Sequence, residues 1–251
     1  MKENLGVVIV CKDDPSGLEN TLGSLLSEEV SRQLSVVVQD GSSVEILPPN
    51  LRSECERAFF EFTYVNEPDQ GIYDAMNKAC SSLRTKYVWF LNSGDVALNL
   101  GMLLSSLKKN DSVIHAYEWL LDGKKKNFDF DFGVIRKRIR STWCFRHQSI
   151  VYDTEFIQQI GLYNPFYKVC GDRDLMVRII KKIRAENYSF WDFPISDNAK
   201  SGLSKSRVFE RELENIMISV RHSDFCKVPR TLWNSVVRIV YHFFIKQSRS
   251  W

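Results

Sequence analysis

The chain has 251 residues, of which 44% are hydrophobic and 26% are charged, as in an ordinary soluble globular protein. Its formal net charge of +3, from 34 basic and 31 acidic residues, is too even to indicate a nucleic-acid-binding protein. The six cysteines form no CxxC pair or cluster with histidine, which argues against a zinc site. No apolar run has transmembrane length, and the opening residues lack a signal peptide's apolar region, so we expect a cytoplasmic protein.

In the first half of the chain, apolar runs typical of buried strands alternate with segments of helical spacing. We predict strands at 5–11, 34–40, 62–66 and 87–91 and helices at 18–26, 51–61 and 71–83. Strands that alternate with helices indicate βαβ units, and therefore an α/β fold with a mostly parallel sheet.

After Asp95 the pattern becomes less regular. We predict helices at 98–107, 171–180 and 207–221, strands at 112–117 and 145–152, a turn at Asp122-Gly123 and a loop at 201–204. The turn residues indicate a partly antiparallel region in this half.

Polar residues collect where the predicted strands of the first half end. Asp40 and Asp95 each follow a buried strand, and four further candidates lie between them: Asp69, Asp74, Asn77 and Lys78. Ligands of α/β proteins bind at the carboxyl ends of the strands, so these residues are predicted to form one site. The alternatives are a simple turn at Asp40 and a solvated ion pair between Lys78 and Asp74.

The segment Asn92-Ser-Gly-Asp95 is a candidate metal site, because a carboxylate after a buried strand can hold Mg²⁺ or Mn²⁺ together with phosphate oxygens. Its alternative interpretation is a capped glycine turn. Phosphate-binding loops of the GxxxxGK[ST] and GxGxxG types are absent from the sequence.

Two acids open the predicted helix at 171–180. Asp172 or Asp174 could act as a general base toward an attacking hydroxyl group, although acids also favour helix N-termini for electrostatic reasons alone. Arg178, one turn later, and His147 are candidate ligand contacts, and a lone histidine is more often structural.

Taken in order, seven elements resemble family two of the glycosyltransferases, with its GT-A fold, and are most similar to bacterial enzymes that build capsule, O-antigen or exopolysaccharide. They are the polar loop 11–14, QDGS at 39–42, EPDQGIYDAMNKA at 67–79, FLNSGD at 90–95, HQS at 147–149, GDRDLMVR at 171–178 and SGLS at 201–204. The resemblance covers roughly residues 5–205.

The resemblance implies a Rossmann-like GT-A domain whose residues 1–97 bind a nucleotide-sugar and whose residues 98–205 bind the acceptor, followed by a helical extension at 206–251. It implies inverting transfer from a nucleotide-sugar donor, with UDP expected, to a hydroxyl group of a saccharide or lipid-linked acceptor. No nucleic acid is expected as a partner.

Residue roles follow from the same resemblance. Asp40 would contact the base, Asp95 would hold the divalent metal, and Asp172 is the first choice for the catalytic base, ahead of Asp174. The residues implied to line the nucleotide-sugar pocket are Cys11, Asp69, Gly71, Asn77, Lys78 and Asn92, with Asp74, His147 and Arg178 as further contact candidates.

Three departures from the family pattern keep other functions open. Asn92 replaces the first acid of the metal motif, Gln39 replaces the first acid of DDGS, and Gly171 replaces the acid beside the proposed base. A nucleotidyltransferase, or an inactive nucleotide-sugar-binding module, therefore remains an alternative.

The segment 232–246 is apolar with interspersed basic residues. It could rest on an anionic membrane, which would place the protein peripherally on the cytoplasmic face of the inner membrane, or pack on the catalytic domain or on a second subunit as a homo-oligomer.

Overall fold

The computed structural model describes residues 2–26, 29–125, 130–139, 146–198, 207–222 and Trp233. The strands within these residues are β1 Lys2–Cys11, β2 Leu34–Asp40, β3 Glu61–Asn66, β4 Thr85–Asn92, β5 Val96–Ala97, β6 Ile114–Leu121, β7 Lys124–Lys125, β8 Ile150–Asp153 and β9 Tyr188–Asn198. The helices are α1 Pro15–Leu26, α2 Pro49–Ala58, α3 Ile72–Ser82, α4 Leu100–Leu107, α5 Phe132–Arg138, α6 Thr154–Gln159, α7 Gly171–Lys182 and α8 Val208–His222. Short 3-10 turns lie at Glu29–Gln33, His147–Ser149 and Ala185–Asn187.

The strands form one sheet in the order β3-β2-β1-β4-β8-β6-β9-β5, with β7 paired to β6. The first four strands in that order are parallel, as the alternation of strands and helices predicts. Parallel strands joined by helices place their carboxyl ends on the same edge, so the residues after β1, β2 and β4 meet there.

Helices cover both faces of this sheet. Along β1, Val7 and Ile9 pack in the cluster that includes α1, α2 and α4, whereas Val8 and Val10 pack in the cluster that includes α3, α6 and α7. A strand buried on both faces reads as a continuous apolar run, which is why its position could be predicted.

The second half of the sheet is mixed. β8 is antiparallel to β4 and β6, whereas β6 and β9 are parallel to each other. The predicted turn at Asp122-Gly123 is confirmed, with φ of 56° and 72°, and it joins β6 to β7.

The prediction of a strand at 145–152 is wrong at its start. Residues His147–Ser149 form a 3-10 turn, and the strand begins at Ile150. The turn closes because the Ser149 N–H and hydroxyl both donate to the Arg146 carbonyl, and the Trp89 indole N–H holds the Gln148 carbonyl at 2.8 Å.

Within the described residues, no helix combines the length and apolar character that crossing a membrane requires. The predicted loop at 201–204 and the segment 232–246, apart from Trp233, lie outside the described residues.

Candidate active site at the carboxyl ends of the parallel strands

Asp40 ends β2 with a fully buried carboxylate that is engaged by three donors. Its Oδ1 accepts the Ser42 N–H at 2.9 Å, and its Oδ2 accepts the Tyr64 hydroxyl and the Asn66 amide. A buried charge is tolerated when donors surround it, so Asp40 fixes the shape of the loop after β2. Its predicted contact with the base of a nucleotide stays a prediction.

Cys11 pairs with Asp40 in the register of β1 and β2. Burial, followed by the nearby charge of Asp40, raises the pKa of the Cys11 thiol, so it remains protonated at neutral pH. Cys11 therefore serves this edge as a small packing residue and lacks the thiolate that metal binding or nucleophilic attack requires. The described cysteines are free, as predicted.

The loop from Glu67 to Gly71 is held against the loop after β2. Asp69 Oδ1 accepts the Gly71 N–H at 2.8 Å, and a Cβ added at Gly41 would lie 1.9 Å from Asp69 Oδ2. Gly71 has a φ of 129°, which L side chains rarely adopt. The glycines thus allow two strand-end loops to meet closely, as expected for a shared pocket.

Lys78 and Asp74 connect this loop to α3. Lys78 Nζ donates to the Pro68 carbonyl at 2.8 Å and pairs with Glu67 at 3.3 Å and Asp74 at 3.4 Å. Asp74 also accepts the Gln70 N–H at 3.0 Å. These contacts order the loop from the solvent side, and direct contact of either residue with a ligand stays a prediction.

The Asn77 side chain is hydrogen-bonded to the backbone of Tyr163. Its Nδ2 donates to the Tyr163 carbonyl at 2.8 Å, and its Oδ1 accepts the Tyr163 N–H at 3.0 Å. Both polar ends of the side chain are therefore used on another backbone segment. Asn77 thus connects the segment around Tyr163 to α3, and its predicted contact with the nucleotide-sugar stays a prediction.

Asp95 lies buried just beyond β4. Its Oδ2 accepts the Asn92 N–H at 2.8 Å and the Gln148 amide at 3.0 Å. The side-chain oxygens of Asn92 and Gln148 are also buried, and neither has a hydrogen-bond partner in the described part of the chain. Buried acceptors without partners favour a ligand that brings donors or positive charge.

These oxygens fit a hard divalent cation in kind, since carboxylate and amide oxygens are its usual protein ligands. Few charged ligands are available, however. Among the described residues, no group of three or more acidic, histidine or cysteine side chains could hold a metal ion. The edge therefore fits a metal that is held by Asp95 with the Asn92 and Gln148 oxygens and completed by oxygens of the bound diphosphate. Sequence reasoning missed Gln148, although it lies within the HQS element.

Asp172 lies at the first turn of α7. Its Oδ1 accepts the Arg173 N–H at 2.8 Å and lies 3.3 Å from the Tyr73 hydroxyl, and its Oδ2 lies 3.6 Å from His147 Nδ1. Burial and the charge of Asp172 raise the pKa of Tyr73 well above its usual value, so the phenol stays protonated as a donor. Sequence reasoning also missed Tyr73, which belongs to the EPDQGIYDAMNKA element.

Steric crowding explains why position 171, directly before Asp172, is a glycine. A Cβ at Gly171 would lie 2.7 Å from ring carbons of Tyr73, and the Tyr73 ring itself stacks on Tyr163 at 5.2 Å between centroids. No side chain fits at position 171 without moving Tyr73.

Asp174 is engaged on both oxygens and is a poor candidate for the base. Arg178 Nε donates to Oδ2 at 2.8 Å, and His222 Nε2 lies 2.7 Å from Oδ1. Burial raises the pKa of Asp174, but the hydrogen bond with His222 and the charge of Arg178 lower it more, so the net shift is downward. The geometry favours Asp172 over Asp174.

Arg178 is used structurally as well. Besides Asp174, its guanidinium donates to the carbonyls of Ile160 at 2.9 Å and Leu162 at 2.5 Å. Its predicted contact with donor or acceptor is therefore not supported by its position.

Two consecutive residues connect the metal candidate with the base candidate. His147 lies beside Asp172, and Gln148 bonds to Asp95. The 3-10 turn that contains them therefore brings Asp95, 77 positions earlier in the chain by residue number, to the same site as Asp172. An acid suited to a cation and an acid suited to a proton transfer thus share one edge of the sheet.

Comparison with protein families and with known proteins gives a consistent result. The model of Glycosyl transferase family 2 matches residues 6–157. An uncharacterized glycosyltransferase of Mycobacterium tuberculosis is 24% identical over 181 residues, which are 69% of this chain and 68% of the relative. A PGL/p-HBAD biosynthesis glycosyltransferase of Mycobacterium bovis is 25% identical over 214 residues, which are 78% of this chain and 77% of the relative.

Solved structures share the fold. The TarS 1-349 structure from S. aureus in complex with UDP-GlcNAc aligns with a TM-score of 0.68 at 15% identity, covering 96% of this chain and 73% of that one. The mannosyltransferase PcManGT from Pyrobaculum calidifontis, in complex with GDP-Man and Mn²⁺, aligns with a TM-score of 0.63 at 15% identity, covering 96% and 70%. The chain spans 44% of the longer TarS structure.

Proposed function

This chain belongs to glycosyl transferase family 2, and from that premise we propose that it is an inverting glycosyltransferase that uses a UDP-linked sugar donor. The observation that supports the proposal is the pair of consecutive residues His147 and Gln148, of which the first lies beside Asp172 and the second bonds to Asp95. An inverting displacement needs a base on the acceptor side and charge stabilisation on the diphosphate side, and the two acids are suited to these two tasks.

Asp172 supplies the base in this proposal. The Arg173 N–H and the Tyr73 hydroxyl occupy the Oδ1 side of the carboxylate and fix its orientation. The carboxylate accepts the proton of the acceptor hydroxyl group. At the same time the hydroxyl oxygen attacks the anomeric carbon, and the bond between that carbon and the diphosphate breaks. Because Asp174 is saturated by Arg178 and His222, it would have to give up an ion pair to do the same.

Asp95, Asn92 and Gln148 are the residues that would hold Mg²⁺ or Mn²⁺, and the ion would neutralise negative charge on the departing diphosphate. Their own contribution is a carboxylate fixed by two hydrogen bonds and two buried amide oxygens that have no hydrogen-bond partner among the described residues. The Mn²⁺ in the PcManGT structure supports metal use.

We expect a saccharide or lipid-linked acceptor in bacterial surface polysaccharide synthesis. The relatives named for PGL/p-HBAD biosynthesis support a role in surface glycan synthesis. The TarS structures with UDP and with UDP-GlcNAc support a UDP-linked donor.

A donor panel tests the proposal. Purified protein is incubated with UDP- and GDP-sugars and Mn²⁺, and nucleotide release is measured with and without a chelator. We expect release from at least one UDP-sugar and an inverted anomeric centre in the product, determined by NMR. Retention of configuration would contradict the mechanism, and calorimetric UDP binding without turnover would support the inactive binding module instead. Pyrophosphate release from UTP and a sugar phosphate would indicate a nucleotidyltransferase.

The C-terminal part is the proposed site of membrane or subunit contact. Along α8, a row of large apolar side chains is exposed, namely Phe209, Leu213, Met217 and Val220. Together with the apolar and basic segment 232–246, this row supports peripheral contact with an anionic membrane. Flotation with anionic liposomes should carry the full chain and leave behind a chain ending at Val228. If neither floats but the full chain alone dimerises, the contact is between subunits.

A further inference from the structure

Helix α8 lies beyond the residues matched by the family model, yet one of its side chains holds the loop that precedes Asp172. Glu214 is buried, and its Oε1 accepts the Lys168 N–H at 2.6 Å. Its Oε2 accepts the Val169 N–H at 3.0 Å and the Cys170 N–H at 2.7 Å. One carboxylate therefore binds three consecutive backbone donors.

These donors lie directly before α7, whose first residue is Gly171. The side chain of Cys170, in the N-cap position, makes no capping hydrogen bond. A helix N-terminus carries a partial positive charge, and the Glu214 carboxylate lies beside it from a different helix, bound to the N–H of the N-cap Cys170 and of the two residues before it. The carboxylate thus determines where α7 begins relative to α8.

The contact reaches Asp172 through Val169 and Tyr73. The Val169 N–H is bound by Glu214, and the Val169 carbonyl accepts the Tyr73 hydroxyl at 2.9 Å. The same hydroxyl oxygen lies 3.3 Å from Asp172 Oδ1. A shift of the Val169 peptide would therefore move the tyrosine that orients Asp172.

The residue after Asp172 is tied to α8 as well. The Arg173 guanidinium donates to the carbonyl and side-chain oxygens of Asn215, at 2.9 and 2.8 Å, and to the Ser219 hydroxyl at 2.9 Å. Asp172 thus follows a backbone segment that α8 holds and precedes a residue whose side chain α8 holds.

We propose that Glu214 is a positioning residue for Asp172, so that α8 aligns the base without touching the substrate. This inference rests on the proposed function, in which Asp172 is the base. Its signature is a lower turnover number with unchanged donor binding, since the hydrogen bonds of Glu214 among the described residues all go to the backbone at 168–170.

The test compares Glu214→Gln with Glu210→Gln, an exposed glutamate one turn earlier that pairs only with Arg207 among the contacts recorded for it in the described chain. Glutamine keeps the volume and one acceptor oxygen but loses the charge and places an amide against backbone donors. The assay is hydrolysis of the UDP-sugar selected by the donor panel, with calorimetry of UDP and Mn²⁺. We expect kcat to fall roughly tenfold or more in Glu214→Gln, with donor KM and UDP affinity unchanged within about twofold, because small misplacements of a catalytic group are costly. Glu210→Gln should match the wild type.

A double variant separates positioning from general loosening. In single-turnover assays, the double variant should react no more slowly than Asp172→Asn alone, because the carboxylate that Glu214 positions is already absent. Wild-type kcat, a parallel loss of UDP affinity, or an additive loss in the double variant would overturn the inference.

A second variant covers the case in which Glu214→Gln does not fold. Tyr73→Phe removes the last link to Asp172 and should also lower kcat with donor KM unchanged, whereas full kcat would overturn the inference. If Asp172→Asn itself retains full activity, the proposed base is wrong. If Asp172→Asn is inactive while Glu214→Gln is normal, only the role of Glu214 fails.

Discussion

The strand-end edge and the start of α7 hold their acidic side chains in different ways. At the edge, nearby backbone contributes directly: Ser42 binds Asp40 from two positions away, and Asn92 binds Asp95 from three. At the start of α7, Tyr73 reaches Asp172 across 99 positions and His222 reaches Asp174 across 48. Both regions also have contacts of the other kind, since Gln148 reaches Asp95 from 53 positions away and the Arg173 N–H binds Asp172 from the next position. The difference is that turn backbone donates to both edge acids, whereas side chains of α3 and α8 contact the two acids of α7.

This difference implies a division of effects. Changes at the edge should act on donor and metal binding and leave the rest of the fold intact, because local turns persist. Changes at the start of α7 should lower turnover where the side chain is the proposed base, and should lower stability where the side chain is held in ion pairs.

The largest effect is expected from the two acids of α7. Asp172→Asn should lower turnover by about 10²- to 10⁴-fold, the usual contribution of a general base, with UDP affinity unchanged. Donor hydrolysis and UDP calorimetry measure the two quantities. The comparison breaks if Asp172→Asn keeps full turnover while a stably folded Asp174→Asn loses it, since the two acids would then exchange roles.

Asp174→Asn should act on stability. Asp174 is nearly inaccessible and pairs with Arg178 and His222, so loss of its charge should lower the free energy of unfolding by about 3 kcal/mol at pH 7. The fold lowers the pKa of Asp174, so its stabilisation is present above the unfolded-state pKa of about 3.9 and is lost as the pH falls through the lower folded value.

Urea unfolding of wild type and Asp174→Asn at pH 7 and near pH 3.5 measures this effect, and the gap between the two proteins should narrow in acid. Asp111→Asn is the matched control, because its carboxylate is 86% exposed and solvent screens its pairing with Lys86, so its loss should change stability far less. A gap that widens in acid would contradict the assigned ion pairs.

At the edge, Asp95→Asn should weaken Mn²⁺-dependent UDP binding by about tenfold or more, because the amide keeps the shape but not the charge that attracts the ion. Calorimetry with Mn²⁺ and with a chelator measures the metal-dependent part, and binding without metal should change little. An unaltered dependence on Mn²⁺ would remove Asp95 from the proposed metal site.

The smallest effect is expected for Lys78→Ala. Its partners Glu67 and Asp74 are partly exposed and solvent screens their pairing with Lys78, so the unfolding free energy should change little. Lys86→Ala is the control, with a similarly exposed ammonium paired to Asp111. UDP binding should weaken only in Lys78→Ala if this residue also reaches the diphosphate, and equal affinity in both variants would leave Lys78 as a connector of the loop alone.

Much of the first half was predictable, because its signals are local. The predicted strand 34–40 has the observed bounds, and all seven of its residues are buried. The prediction for the first helix of the site, 71–83, differs from Ile72–Ser82 by one residue at each end. Buried parallel strands and amphipathic helices display their periodicity in a single stretch of chain.

The strand Tyr188–Asn198 was missed, and its sequence explains why. It contains Pro194, which pairs opposite Glu118 where the register with β6 shifts. Proline is tolerated in a strand at such irregularities, and the charged and aromatic residues around it hide the alternation that marks an ordinary strand. The pairing is therefore supplied by β6 and not by the segment's own pattern.

The sequence by itself determined the fold class, the family and most acids of the site, because motifs and burial patterns are properties of neighbouring residues. Only the tertiary structure showed that Arg178 and His222 engage both oxygens of Asp174 and that the Asn77 amide bonds to the Tyr163 backbone. Only it brought Gln148 to Asp95, Tyr73 to Asp172, and Glu214 to the backbone before Asp172. Those outcomes depend on which hydrogen-bond partners segments far apart in the chain supply, and a carboxylate's chemistry is decided by those partners.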